Sequence, residues 1–297
     1  MRSLTNAIRD DVVVLDGGLA TELERRGNDL SSAQWSARLL VDDPAEIVAA
    51  HRTFAEAGAQ VAITASYQAA PDDVAGLRRS VALARAAQDG WVAASVGPYG
   101  AVRADGSEYR GDYGLTVAEL RAFHRPRLKT IADAGADVLA IETIPCLAEV
   151  EALLAELVRL DVRAWLSITA AGVSTRAGEP AQAAFAMARD CPAVFAVGAN
   201  CIDPADALPL VELATATSGK PAVVYPNSGE TWSGGWSGRS TFRPDDVTAW
   251  IGAGARLVGG CCRVTPDDIS ELAGLVGNRV GNRPGPVVDP VAPPASD

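Results

Sequence analysis

Histidine is almost missing: among 297 residues only His51 and His124 occur. Both fall in helical stretches, as surface or interhelical residues, and so thin a supply speaks against a histidine catalyst. Basic residues are also short, 26 against 37 acidic ones, for a formal net charge of -11. That balance argues against a nucleic-acid partner, because such binding rests on neutralising many phosphates. No apolar run is long enough to span a bilayer; the richest windows are broken by glycine and charge. Met1 to Asp11 lacks the apolar stretch of a signal peptide and carries acidic residues, so the expected location is the cytoplasm. No glycine-rich phosphate fingerprint follows the first apolar run, which weakens a doubly wound, dinucleotide-binding sheet.

What is there points to a large core. Hydrophobic residues make up 48% of the chain, and they gather into eight short runs separated by helical stretches. The runs are Val12–Asp16, Gln60–Ala65, Val92–Gly97, Val138–Glu142, Ala164–Thr169, Ala196–Cys201, Ala222–Pro226 and Arg256–Cys261. Most are continuously apolar rather than alternating, as strands covered on their outer face by helices must be. Between them, Asp43 caps a helix starting at Pro44, Thr116 and Glu119 form a capping box, and Pro266 takes a first helical position. Gly58 and Gly135 close helices that lead into strands. Eight strand-plus-helix units are expected to build one α/β domain, a single (β/α)8 TIM barrel over residues 1–281. Residues 282–297 are proline-rich and are expected to form a disordered tail. Two long connections, Pro98–Leu115 and Ser228–Arg243, are candidates for substrate contacts.

In a barrel the C-terminal ends of all strands open on one mouth. Asp16, Thr64, Glu142, Thr169, Cys201, Asn227 and the pair Cys261–Cys262 sit at those ends. A reducing compartment keeps five cysteines as thiols, so metal binding or catalysis outranks a disulfide framework. Cys146 and Cys191, beside prolines at helix edges, read as structural. The other three fit a tetrahedral Zn²⁺ site with a fourth position for substrate. Gly259 and Gly260 are expected to let the backbone bend so that consecutive cysteines reach one ion. Three thiolates leave such a centre electron-rich, a poor Lewis acid for hydrolysis but able to hold a substrate thiol as a thiolate. The fitting co-substrate is an electrophile such as a methyl on a cationic sulfonium, which needs alignment and a dry pocket.

The segments Leu15-Asp16-Gly17-Gly18, Ile63-Thr64-Ala65-Ser66-Tyr67-Gln68, Glu142-Thr143-Ile144-Pro145, Gly198-Ala199-Asn200-Cys201, Tyr225-Pro226-Asn227 and Gly259-Gly260-Cys261-Cys262 together resemble the homocysteine S-methyltransferases. The resemblance runs in order from about Val12 to Val276. It implies a zinc-activated homocysteine sulfur attacking a donor methyl, with Cys201, Cys261 and Cys262 as ligands. It also implies that Asp16, Gly17, Gly18 and Glu142 hold the amino acid end of homocysteine, with Thr64 beside them. Asn227 matches a position that can fill the metal's fourth site when substrate is absent. Betaine users carry an aromatic pair where this chain has Thr143-Ile144. Ser66-Tyr67-Gln68 and Trp35-Ser36-Ala37 are closer to the branch using S-methylmethionine or S-adenosylmethionine. Trp35, Tyr67, Trp232 and Trp236 are candidates to meet a sulfonium by cation–π contact. The chain is too short to carry its own cobalamin module, and a monomer or small homo-oligomer is expected.

Competing readings remain. Three cysteines on apolar strands can be packing alone, and Cys261–Cys262 can be a strained redox pair. Betaine- or corrinoid-linked methyl transfer, a barrel aldolase or metal hydrolase using Asp16 and Glu142, and a non-catalytic zinc- or thiol-binding protein are the functional alternatives.

Overall fold

Eight strands pair in parallel around a closed barrel in the computed structural model. It describes residues 2–30, 35–233 and 235–281, with the side chains of 35–37 and 278–281 outside the description. The strands are β1 (Val13–Val14), β2 (Val61–Ile63), β3 (Trp91–Val96), β4 (Val138–Ile144), β5 (Ala164–Ile168), β6 (Val194–Asn200), β7 (Ala222–Tyr225) and β8 (Ala255–Val258). Each pairs with its sequence neighbour, and β1 pairs with β8. The remaining seam, between β1 and β2, closes through a parallel bridge from Leu15 to Val61. There Gln60 N–H donates to the Val14 carbonyl at 2.8 Å, and its side-chain oxygen accepts from Val14 N–H at 3.0 Å. All eight expected strands are present, and the barrel is the (β/α)8 fold.

Continuous burial explains why these runs are strands of a covered sheet. β3, β4, β5, β6 and β7 are buried at every position. The first ten helices in chain order are α1 (Leu4–Asp10), α2 (Leu19–Arg25), α3 (Trp35–Asp42), α4 (Pro44–Glu56), α5 (Val74–Ala87), α6 (Tyr99–Arg103), α7 (Val117–Ala132), α8 (Leu147–Leu160), α9 (Ala181–Arg189) and α10 (Pro204–Ser218). Outward strand residues pack under α4, α7, α8 and α10, among others. Inward residues fill the barrel itself: Val13, Val61, Trp91, Ala93, Val138, Ala140, Trp165, Val223 and Leu257 form one cluster, plugged from below by Leu4 and Ile8. The helix starts hold as expected. Asp43 accepts from Glu46 N–H, and Thr116 and Glu119 form the reciprocal capping box. Gly58 (φ 102) and Gly135 (φ 86) follow α4 and α7 in left-handed conformations. The two long connections carry short structure of their own, a five-residue helix at Tyr99–Arg103 and a hairpin pairing Thr231–Trp232 with Trp236–Ser237. Among the described residues no helix is long and apolar enough to cross a membrane. The tail 282–297 lies outside the described residues.

Candidate functional site at the barrel mouth

Alternation along a strand decides what reaches the mouth. Side chains two apart share a face, so β4 sends Val138, Ala140 and then Glu142 into the barrel. By the same count Ser95 follows Trp91 and Ala93, and Tyr225 follows Val223. These polar groups form the topmost interior layer. Ser95 donates its hydroxyl to Glu142 Oε1 in a short hydrogen bond, and Tyr225 donates to Glu142 Oε2 at 3.0 Å. Trp165 Nε1–H donates to the Tyr225 oxygen at 3.1 Å. Glu142 is 6% exposed, so its carboxylate is held by donors rather than water. Burial pushes its pKa up to about 7, against the opposing pull of the Ser95 bond, with Cys201 adding to the rise.

Asp16 stands just past β1, where its Oδ2 accepts from Ile63 N–H at 2.8 Å. Burial raises its pKa well above the usual carboxylate range, and Glu142 adds to the rise. Behind it lies His51, placed by sequence reading on a surface or between helices. It is instead fully buried on α4 with Nδ1 3.9 Å from Asp16 Oδ2, and burial lowers its pKa to about 4. His51 is therefore a neutral imidazole in contact with the site, chosen by α4's inward face. His124 is interhelical as expected, paired with Glu149 at 2.7 Å. The third charged group is Arg127, wholly buried on α7. It donates to the carbonyls of Gly97, Ser66 and Tyr67 at 2.7, 2.9 and 2.6 Å. One guanidinium thus ties the ends of β2 and β3 together and sets the backbone of Tyr67.

The three cysteines converge. Cys201 Sγ lies 2.6 Å from Cys261 Sγ and 4.0 Å from Cys262 Sγ, and all three fall within 4.8 Å of one another. The Cys261 thiol is pushed well up by its contacts with Cys201 and Cys262 and by burial; contacts with Cys201 and Cys261 hold Cys262 well down. A tetrahedral zinc centre with bonds of about 2.3 Å has sulfur–sulfur edges of about 3.8 Å. The Cys201–Cys262 separation meets that edge, and Cys261 needs to swing outward by about 1 Å to meet it too. Three soft donors, Cys201 buried and Cys261 and Cys262 half-buried, with no histidine or carboxylate in the cluster among the described residues, suit zinc. Cys146 and Cys191 are buried elsewhere and are not in the cluster. The close pair is Cys201–Cys261, not the adjacent Cys261–Cys262.

The backbone around the cluster departs from expectation in one respect. Gly259 and Gly260 do not take left-handed conformations; the residues that do are Thr143 (φ 61), Cys201 (φ 50) and Arg263 (φ 66). The bend is carried by Cys201 and Arg263 themselves. Gly259 is needed for packing, since a Cβ there would lie 2.7 Å from Leu15 Cβ and 2.8 Å from the Asp16 carbonyl. Gly18 does the same from the other side, where a Cβ would lie 2.7 Å from the Cys261 carbonyl. A β-branched residue in the left-handed region is strained, and Thr143 is held there by Asn200. Asn200 Oδ1 accepts from Thr143 N–H at 2.7 Å, and its Nδ2 donates to the threonine hydroxyl at 2.8 Å.

Asp16, Gly17, Gly18, Thr64, Tyr67, Glu142 and the three cysteines all line one cavity of about 590 Å³, together with Trp232 and Trp236. Thr64 turns its hydroxyl to Ser66 at 2.7 Å and to Ser95 N–H at 2.9 Å. It braces the strand ends. Gly18 N–H donates to the Val264 carbonyl at 3.0 Å. Asn227 lines a neighbouring cavity, and its Oδ1 accepts from Cys262 N–H at 3.1 Å, fixing the turn that carries the pair. The Trp232 and Trp236 rings meet at 5.3 Å across the hairpin, tilted by 59°. The Trp35 side chain lies outside the described residues. Sequence reading missed Ser95 and Tyr225, although continuing the period-two count along β3 and β7 finds both.

Comparison with known proteins agrees with this geometry. The profile of the family described as homocysteine S-methyltransferase matches residues 13–276. Homocysteine S-methyltransferase of Escherichia coli is 43% identical, over 89% of this chain and 95% of its own. Homocysteine S-methyltransferase YbgG of Bacillus subtilis is 40% identical, over 88% and 93%. The crystal structure of the metallated form of homocysteine methyltransferase MmuM from Escherichia coli superposes with a TM-score of 0.82 at 40% identity. It covers 92% of this chain and 99% of that one.

Proposed function

Because this chain belongs to the homocysteine S-methyltransferase family, we propose that it takes a methyl group from a sulfonium donor, S-methylmethionine or S-adenosylmethionine. The acceptor is the sulfur of homocysteine, the product is methionine, and zinc is held by Cys201, Cys261 and Cys262. The observation that carries this reading is that three clustered thiols and two buried carboxyls line one cavity. Such a cavity matches a molecule with a thiol at one end and an ammonium at the other. A relative solved in a metallated form, at 40% identity, supports the metal. Zinc, when bound, supplies the charge that keeps a substrate thiol ionised near neutral pH.

The protein's own groups do the rest. Asp16 and Glu142 receive the ammonium, and an ion pair in a dry site is a strong, directional contact. Ser95 and Tyr225 fix the Glu142 carboxylate so that it does not reorganise on binding. Gly17 and Gly18 line the cavity beside Asp16, where the substrate's carboxylate can approach their backbone. Thr64, Arg127 and Asn200 hold the strand ends that carry these groups. Excess negative charge at the mouth draws a cationic donor, and that charge is dispersed as the methyl moves between sulfurs. Tyr67, Trp232 and Trp236 offer ring faces to the sulfonium. The free thiols of the cluster suit the reducing cytoplasm.

The test is one set of incubations. Purified protein of known zinc content is mixed with homocysteine and, separately, S-methylmethionine, S-adenosylmethionine or betaine, and methionine is measured. Methionine from a sulfonium donor is the expected result. Methionine from betaine alone overturns the choice of donor, and none from any donor overturns the reading.

A further inference from the structure

A second cavity, of about 920 Å³, meets the first at Gln68, Tyr109, Trp232, Trp236 and Cys262. Its charged walls are different ones: Glu108, Arg176, Asp203, Asp206 and Glu230. Three of these are already engaged. Glu230 pairs with Arg263 at 3.1 Å, Asp206 accepts from Gly172 N–H at 2.9 Å, and Asp203 caps α10 through Ala205 N–H at 2.9 Å. Two are left. Arg176 makes no ion pair among the described residues, and Glu108, 9% exposed, has an Oε2 with no hydrogen-bond partner among them. Among the described residues the cavity therefore offers one cation without an ion pair and one buried carboxylate oxygen without a hydrogen bond, beside the cysteine cluster.

Arg176 is held ready. It follows a short hairpin in which Ala170–Ala171 pairs with Ser174–Thr175, and Ala177 N–H donates to the Pro145 carbonyl at 3.1 Å. Its guanidinium lies 6.0 Å over the Tyr109 ring, and its Nε donates to Thr169 Oγ1 at 3.3 Å. Thr169 in turn donates to the Cys201 carbonyl at 3.1 Å. Two hydrogen bonds thus connect the guanidinium to the backbone of a cluster cysteine, with its terminal amino groups left for a ligand. A planar fork so placed is suited to a carboxylate.

We infer that this second cavity is the donor site, and that it takes a sulfonium bearing an amino acid end, with Arg176 binding the donor's α-carboxylate and Glu108 facing its positive charge. The assignment rests on the sulfonium reading above. Attacking sulfur, methyl carbon and leaving sulfur must fall on one line. Homocysteine reaches the cysteines from the Asp16–Glu142 lobe, so the donor comes from the other. As the new sulfur–carbon bond forms on homocysteine, the donor's methyl–sulfur bond breaks and its electron pair stays on the departing sulfur. The donor leaves as a neutral thioether, no proton moves in that step, and loss of the positive charge weakens its hold on Glu108.

Steady-state kinetics of the zinc-loaded protein test this with S-methylmethionine and, as a second donor, trimethylsulfonium, which has no carboxylate. Wild-type turnover with S-methylmethionine tests the underlying reading; the variants test the site alone. Arg176→Met and Arg176→Ala are expected to raise KM for S-methylmethionine at least tenfold. KM for homocysteine and the zinc content should stay within twofold, and Arg176→Lys should recover part of the loss. With trimethylsulfonium, wild type and Arg176→Met should have equal kcat/KM. Glu108→Gln should raise KM for both donors. An unchanged donor KM in the Arg176 variants, or an equal rise for homocysteine and donor, overturns the site while leaving the methyl transfer standing. Absence of wild-type turnover with either sulfonium overturns both.

Discussion

Replacing Tyr225 by phenylalanine removes one hydroxyl from the floor of the site and little else. That hydroxyl donates to Glu142 Oε2 at 3.0 Å, and a hydrogen bond to a charged acceptor contributes about 1.5–3 kcal/mol. At about 1.4 kcal/mol per pKa unit, losing it raises Glu142 by about one to two units. The starting value is about 7, so the variant's carboxyl titrates near 8 or above. The sign follows directly. Above its pKa Glu142 is an anion able to pair with an ammonium, the role proposed for it with homocysteine, and below it the group is neutral and that pairing is lost. At pH 7 the ionised fraction falls from about a half to about a tenth or less, so KM for homocysteine should rise about fivefold or more. The gap should close above about pH 9, where both carboxyls are ionised. The assay is kcat/KM for homocysteine from pH 6 to 9.5 at saturating donor, with Glu142→Gln as the control that carries no titration at this position. A ratio of wild type to Tyr225→Phe that stays flat across this range would refute the reasoning. Trp165 Nε1, left unpaired, should cost about 1–3 kcal/mol of stability, read from denaturant unfolding.

Three further outcomes follow from the geometry. Asn200→Ala removes two buried hydrogen bonds from the left-handed Thr143. It should destabilise the protein by about 2–4 kcal/mol in urea unfolding and raise KM for homocysteine through the adjacent Glu142. Gly18→Ala puts a Cβ 2.7 Å from the Cys261 carbonyl, so the variant should fold but bind zinc at least tenfold more weakly in a chelator competition. Cys201→Ala, Cys261→Ala and Cys262→Ala should each lose zinc and turnover together; full activity in any one would contradict a three-sulfur site.

The barrel was legible because its strands are buried on both faces, which leaves continuous apolar runs that no surface strand would show. The polar residues closing those runs, Asp16, Glu142 and Cys201, could then be assigned to one mouth before any contact was known. What could not be read were partnerships set by packing between distant segments. Arg127 sits on a helix with ordinary amphipathic spacing, yet it clamps the ends of β2 and β3. His51 reads as a surface or interhelical residue because the face α4 turns to Asp16 is decided by the barrel, not by its own sequence. The roles of Gly259 and Gly260 were misassigned for a related reason. Glycine fits both a left-handed bend and a close approach, and only the contacts of Gly259 with Leu15 and Asp16, and of Gly260 with Val264, distinguish them. Cys201 and Arg263 carry the bend, and nothing local in their sequence announces it.

The central claim is that Cys201, Cys261 and Cys262 share one ion that has a place for the substrate's sulfur. X-ray absorption at the zinc edge of the purified, reduced protein, with and without homocysteine, measures this directly. The account predicts three sulfurs at about 2.3 Å and one lighter neighbour in the free protein, becoming four sulfurs when homocysteine is added. A metal-free protein, or a sulfur count that does not rise with homocysteine, would contradict it.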